Sequence, residues 1–213
     1  MALIQYMQDY DEMLPHHAGD TANFLLPAAV PNWARAIMPY SRNEQMLICP
    51  SAPIDPRQGA LAPTINRTSF QGNGVVLSRL GKSSAAIPAP SDIVFMQENY
   101  FTFLVAFNRP SQINAATATP QQYRWWHLVD CRPVFSMVPR LPRERNCCEQ
   151  YNSRHFTGGS ILFVDGHAKF RNYYTMRSGE FGLVPDEPYR EDQTQSFCTA
   201  GGACAGTIYT PAF

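Results

Sequence analysis

Residues Tyr151–Asn172 read YNSRHFTGGSILFVDGHAKFRN, and the rest of the chain is organised around them. Ser160–Val164 is a short apolar run of strand formers: Ile161, Leu162, Phe163 and Val164. Asp165-Gly166 follows. This dipeptide is a strong hairpin signal, because glycine takes the positive φ that a tight primed turn demands. Ala168 and Phe170 then alternate with Lys169 and Arg171, as on a half-buried return strand. Gly158-Gly159 sets off the first strand on its other side. The segment is therefore expected to be loop, strand, turn, strand, with His155 just before the hairpin and His167 just past its turn.

His155, nine residues and then Asp165-Gly166 resembles the His-x(9)-Asp-Gly signature of a large family of bacterial pilin-like proteins. The family carries a prepilin-type N-terminal helix and is related to type IV pilins and type II secretion pseudopilins. Its members read roughly R-H-x-G-G-x-N-x-L-F-x-D-G-H-V-K-F at this place. Arg154, His155, Gly158, Leu162, Phe163, Asp165, Gly166, His167, Lys169 and Phe170 match, and Gly159 puts the glycine pair one place later than in the family. Ser160-Ile161 stands where the family has a small residue and Asn, so no role built on that Asn carries over.

Other blocks agree. Ala2–Pro15 is similar to the segment that ends the long pilin helix. Trp33, Pro39-Tyr40 and Cys49-Pro50-Ser51 resemble the family's W…PY…CPS stretch. Ser69–Gly74 and Ala86–Asp92 resemble its S-Y-x-x-N-G and I-x-x-P-S-D segments. The resemblance runs from residue 2 to about residue 172, and the tail after Tyr173 lies outside it. It implies an α+β fold, an N-terminal amphipathic helix packed on an antiparallel sheet; long loops and, from the placement of Cys198 and Cys204, a disulfide-tied C-terminal tail complete the expected architecture. Residues 1–15 would be the end of a pilin-type helix, 16–172 the pilin-like globular domain, and 173–213 the loop-rich tail.

The bounds fit such a protein. A chain of 213 residues is long enough for one domain with a real core. Its 17 Lys+Arg balance its 17 Asp+Glu, which gives no electrostatic case for nucleic acid as a partner. Charged residues are only 16% of the chain, below the usual quarter or so. Proline and glycine are numerous, the composition of a loop-rich, weakly charged β-containing protein. No run of about 20 apolar residues exists in residues 1–213 to span a membrane, and the first residues do not read as a signal peptide. Met1 falls where the middle or end of the family's helix would be, so membrane contact is expected only through an upstream helix. The expected place is outside a bacterial cell or on its surface.

Six cysteines are present, without zinc-finger spacing. In an oxidising compartment they suggest three disulfides. Cys198 and Cys204 flank a small Gly/Ala-rich loop and form one expected pair. Cys147 and Cys148 are adjacent and should go to different partners, with Cys49 and Cys131 the remaining candidates. Buried free thiols are the plain alternative.

Along the chain, Leu3, Tyr6, Met7, Tyr10, Met13 and Leu14 fall at helical spacing, and Pro15 stops the helix. This face is first of all a core-packing face. In a filament, Leu3, Tyr6, Met7 and Tyr10 would also contact neighbouring subunits. His16-His17 is a loop, since adjacent histidines seldom ligate one ion. Asn32–Tyr40 reads as a short helix with Asn32 as N-cap and Pro39 at its end. Met46–Cys49, Val75–Leu80, Ile93–Gln97 and Asn99–Phe107 read as strands, and residues 108–122 as a long loop. Asn66-Arg67-Thr68 is a glycosylation sequon, meaningful only in a source that glycosylates. Tyr123, Trp125 and Trp126 belong to an aromatic cluster: core or subunit interface if buried, a sugar or adhesion surface if exposed. In the tail, Ile208–Thr210 reads as a last strand, suited to a neighbour's sheet edge.

His155, Asp165 and His167 are of metal-binding type. In a hairpin, however, Asp165 and His167 lie at the rim, with no nucleophile–base pair beside them. Structural roles are expected: Asp165 accepting turn N–H groups, His155 fixing its loop on the hairpin. The resemblance implies no enzymatic activity and no obligatory cofactor. A calcium site of the pseudopilin kind is the alternative to no cofactor, to which Asp165 or the acidic group Asp186, Glu187, Glu191 and Asp192 would contribute oxygens. The expected function is a self-assembling structural subunit of an extracellular filament. Its partners would be copies of itself or other pilin-like subunits. A cell-surface carbohydrate or adhesion module is the second reading, and a metal-dependent hydrolase a remote third.

Overall fold

The structure is a computed structural model. It describes residues 1–15, 33–52, 68–77, 81–103, 110–112, 122–124, 155, 158–172, 175–188 and 209–213. Two helices, α1 (Ala2–Asp9) and α2 (Trp33–Ser41), precede eight strands. These are β1 (Thr68–Gly72), β2 (Val94–Phe103), β3 (Ser111–Gln112), β4 (Tyr123–Arg124), β5 (Gly158–Phe163), β6 (Ala168–Asn172), β7 (Leu183–Val184) and β8 (Thr210–Pro211). The class is mixed α+β. The main sheet has four strands in the order β1-β2-β5-β6, every neighbour antiparallel.

The Asp-Gly turn forms where the sequence places it. β5 and β6 pair from Gly158 opposite Asn172 to Leu162 opposite Ala168, and Gly166 takes φ +88°. Side chains alternate across a strand, and β5 shows the result. Ile161 and Phe163 join one buried cluster, with Val94, Tyr123, Met176, Phe181, Leu183 and Tyr209. Leu162 packs on the other, with α1, α2 and Phe95. Each face of the sheet thus has its own core, and Phe213 touches both.

The two helices pack together on one of these cores. α1 buries Leu3, Tyr6 and Met7, and α2 buries Trp33, Ala34 and Ile37. Tyr40 Oη donates to Asp9 Oδ2 at 2.9 Å, tying helix to helix. Ile4 of α1 lies over the hairpin turn: a Cβ on Gly166 would stand 2.9 Å from Ile4 Cδ1.

Several elements differ from expectation. α1 stops at Asp9 rather than running to Met13, because Asp11 and Glu12 adopt left-handed φ of 51° and 62°. Met13 then bridges Ser83, and Leu14 donates to Lys82 O at 2.8 Å. α2 continues past Pro39 to Ser41, while Asn32 lies outside the described residues. Met46–Cys49 is not a strand. Asn43 accepts from Gln45 N–H and starts a 3-10 turn over Glu44–Leu47. Val75–Leu77 is likewise a turn: Asn73 Oδ1 accepts from Val75 N–H at 3.0 Å, and Asn73 O from Leu77 N–H at 2.8 Å. In both cases a side-chain oxygen offers the backbone an alternative to a ladder. The two strands expected over 93–97 and 99–107 are one strand, β2, as far as Phe103, residues 104–107 lying outside the described residues.

The described parts of the tail contribute Met176, Phe181, Leu183 and Tyr209 to the core. The last strand, expected over 208–210, is β8 at Thr210–Pro211, Ile208 lying outside the described residues, and β8 pairs with β7 of its own chain. Tyr209 also exchanges backbone hydrogen bonds with Tyr123, at 2.8 and 3.0 Å. Glu180 opens the short turn before β7. It accepts from Arg177 N–H at 2.8 Å and pairs with Arg171 Nη2 of β6 at 2.6 Å.

Burial holds the Glu180 carboxyl above its ordinary value, against the Arg177 N–H and the Arg171 charge. The folded chain therefore keeps this proton more tightly than the unfolded chain does. The stability Glu180 contributes is full below the ordinary carboxylate pKa and is lost as pH rises through the folded one. The stability difference between wild type and Glu180→Gln should accordingly fall from acid to neutral pH. A flat difference in urea titrations across that range would show that Glu180 is not held this way.

Candidate metal centre

Three segments far apart in sequence converge on the central strand. Cys49 lies just past the 3-10 turn that follows α2, and its N–H donates to Ser69 Oγ of β1 at 2.6 Å. Glu98 lies within β2. His155 stands at the mouth of β5, where Gly158 N–H donates to His155 O at 3.1 Å. Among the described residues these three form the one group of metal-type donors close enough to share an ion, with all ligand atoms within 4.8 Å of one another.

The geometry converges on a single ring nitrogen. His155 Nε2 lies 3.3 Å from Glu98 Oε1 and 3.4 Å from Cys49 Sγ. Glu98 is only 3% exposed. Its second oxygen, Oε2, accepts from Ser160 N–H at 2.9 Å. Among the described residues, His155 is the only group paired with this carboxylate that can carry positive charge. A buried carboxylate is costly unless paired or metal-bound. The His155 side chain is 40% exposed, so the cluster opens to water on that side.

This arrangement does not make an activated nucleophile. A catalytic cysteine needs a depressed pKa, whereas the Cys49 thiol is pushed up, first by burial and then by its hydrogen bond to Glu98. A nucleophile–base–orienter relay also uses both ring nitrogens of the histidine. Here thiol and carboxylate meet the same one.

The other anticipated residues fall elsewhere. Asp165 and His167 pair with each other: Asp165 Oδ1 accepts from His167 N–H at 3.0 Å and lies 2.6 Å from Nδ1. The His167 ring stacks on Phe163 at 4.3 Å. β5 lies between them and His155, roughly 17 Å at about 3.4 Å per residue, so the three cannot share an ion. Asp165 thus has the turn role expected of it, and His155 holds its loop through Glu98 rather than across the hairpin. Asp186 is bound by Arg177 Nε at 2.8 Å and Gly179 N–H at 3.0 Å. Glu187 Oε2 accepts from Tyr209 Oη at 2.7 Å. Asp165, Asp186 and Glu187 do not form a shared donor group among the described residues.

Cys49 departs from its expected disulfide role, whereas the burial of Tyr123 and of the helix face follows their core-packing readings. Cys49 is a free, buried thiol, not half of a disulfide, because its Sγ faces Glu98 and His155. The remaining candidates, Cys131, Cys147, Cys148, Cys198 and Cys204, lie outside the described residues, as do His16, His17, Asn66, Trp125 and Trp126. Tyr123 is 2% exposed and belongs to the core, not to a contact surface. Leu3, Tyr6 and Met7 are buried within the chain itself. Of the four helix residues expected at a subunit contact, only Tyr10 is exposed, at 52%, and its ring stacks on Tyr6.

Glu98 was not anticipated. Its one signal is a lone charge inside the strongly apolar run Ile93–Phe103. Such a charge is almost never fully buried without a partner. No protein-family model, curated protein or solved structure matches this chain. None of its helices is long and apolar enough, among the described residues, to cross a membrane.

Proposed function

We propose that this chain is a structural subunit of an extracellular pilin-like or pseudopilin-like filament, assembling with copies of itself and without enzymatic activity. The observation that carries the reading is the seating of α1 on the hairpin turn. The two blocks that most resemble the pilin-like family, Ala2–Pro15 and the His-x(9)-Asp-Gly segment, lie more than a hundred residues apart. They meet where Ile4 covers Gly166, in a helix-on-antiparallel-sheet arrangement that this family would use. With Leu3, Tyr6 and Met7 occupied inside the subunit, neighbours would be engaged through the exposed apolar side chains: Met1 and Tyr10 at the helix, Phe170 on β6.

Electron microscopy of the protein as its source makes it, including whatever precedes Met1 there, tests this. Regular fibres with this chain as a component are expected, and Tyr10→Glu should shorten or abolish them. Dispersed monomers at high concentration, with no fibre in the native material containing the chain, would overturn the proposal. The carbohydrate-module reading loses Tyr123, which is buried.

A further inference from the structure

We propose that Cys49, Glu98 and His155 bind one divalent ion of the zinc class, which pins the segment after α2 and the entry to β5 onto the central strand β2. The proposal is independent of filament assembly. Its first support is the spacing of the donors. Tetrahedral coordination with Zn–S near 2.3 Å and Zn–N or Zn–O near 2.0–2.1 Å places neighbouring ligand atoms about 3.3–3.6 Å apart. The observed separations of 3.3 Å between Nε2 and Oε1 and 3.4 Å between Nε2 and Sγ are such edges.

The second support is the buried carboxylate. Glu98 is 97% removed from solvent, being 3% exposed, and Ser160 N–H holds its far oxygen. That contact orients Oε1 toward the cluster, the kind of outer hydrogen bond that ligating carboxylates receive. A divalent ion between Oε1, Sγ and Nε2 would neutralise this charge where no Lys or Arg among the described residues does so. The third support is convergence on one nitrogen. Thiol and carboxylate both approach Nε2, as two ligands sharing an ion with that nitrogen must.

The donor set selects the metal. One thiolate, one imidazole and one carboxylate suit zinc or cobalt, whereas calcium and magnesium require oxygen shells. Three protein donors leave a fourth position, and the exposed side of His155 gives water access to it. On binding, the Cys49 thiol yields its proton to solvent and its sulfur bonds the ion, while Nε2 binds through its neutral lone pair. No electron transfer is involved.

Cobalt(II) titration of the reduced full chain is the test. The expected result is a thiolate-to-cobalt charge-transfer band with intense visible absorption of tetrahedral type. Zinc should displace it, and magnesium should not. Cys49→Ser should lower the cobalt stoichiometry by one equivalent. Cys198→Ser, in the tail, should leave it unchanged. His155→Gln alters the more exposed ligand, so it guards against simple misfolding of a buried variant. It should remove the same equivalent while circular dichroism shows the fold kept. Three results would each overturn the proposal: no binding by the wild type, an unchanged stoichiometry in both Cys49→Ser and His155→Gln, or peptide mapping that finds Cys49 in a disulfide in native material.

Discussion

Trp33→Ala is expected to destabilise the protein by about 3–5 kcal/mol, the range for deleting a large buried aromatic side chain. For a chain of this size that is a fall in thermal midpoint of roughly 6–20 °C. The indole is fully buried, at 0% exposure, and meets the Phe95 ring edge-on at 6.4 Å and 82°. It is the largest fully buried side chain between the helices and the sheet. Neighbours from α1, α2 and β2 surround it, so the void left by alanine cannot close without moving a whole element. Its Nε1 has no hydrogen-bond partner among the described residues, so the loss is one of packing alone. Trp33→Phe keeps a ring and should lose much less. Urea unfolding decides the matter: if Trp33→Ala cost under about 1 kcal/mol, as surface changes do, the helices would not pack on the sheet as described.

Gly158→Ala should also destabilise the protein, by less and for a steric reason. A Cβ at this position runs into the carbonyl oxygen of Arg171, and would stand 2.7 Å from Phe170 Cζ. A side chain can swing aside, but a ladder carbonyl cannot without parting β5 from β6. The cost expected for such overpacking is about 1–3 kcal/mol. The same shift would disturb the Gly158–His155 backbone bond and with it the position of the imidazole. Ser160→Ala, two residues on and exposed, is the control, and should stay within about 0.5 kcal/mol of wild type. Equal stability for Gly158→Ala and Ser160→Ala would refute the account.

These two residues mark what the sequence makes legible. The hairpin could be read because its information is local: Asp165-Gly166 supplies the turn and alternation supplies the faces of β5, whereas on β6 the expected alternation fails, Ala168 and Phe170 both being exposed. α1 was legible in its periodicity but not in its end, because nothing in Asp11 or Glu12 announces a left-handed backbone. The apolar runs 46–49 and 75–77 look like strands, yet Asn43 and Asn73 capture the following N–H groups and curl the chain. β1 (Thr68–Gly72) was hidden for the opposite reason. It is polar, and its burial is tolerated through partners elsewhere, such as Gln97 Nε2 bonding to Gln71 Oε1 at 3.2 Å. Of the metal centre only His155 stood out, as a motif residue. Cys49 looked like a disulfide half, and Glu98 gains meaning only once the fold brings it to the other two.

The anchoring of Phe213 bears on how the chain reaches this fold. Lys82 Nζ donates to Phe213 O at 2.6 Å, across 131 residues of sequence, and lies over the Phe213 ring at 4.6 Å. A Cβ on Gly182 would stand 2.5 Å from that ring, so the left-handed glycine leaves it room. Contacts of such long range must close a large loop before they return any energy. The β5–β6 hairpin closes a loop of only a few residues and can form early. The clasp of Phe213 on Lys82 and Gly182 is expected to close later than the hairpin. Until it closes, the cores on both faces of the sheet remain open at the same point. A chain with this clasp open would expose apolar surface of both clusters at one place, and β8 with Phe213 covers it.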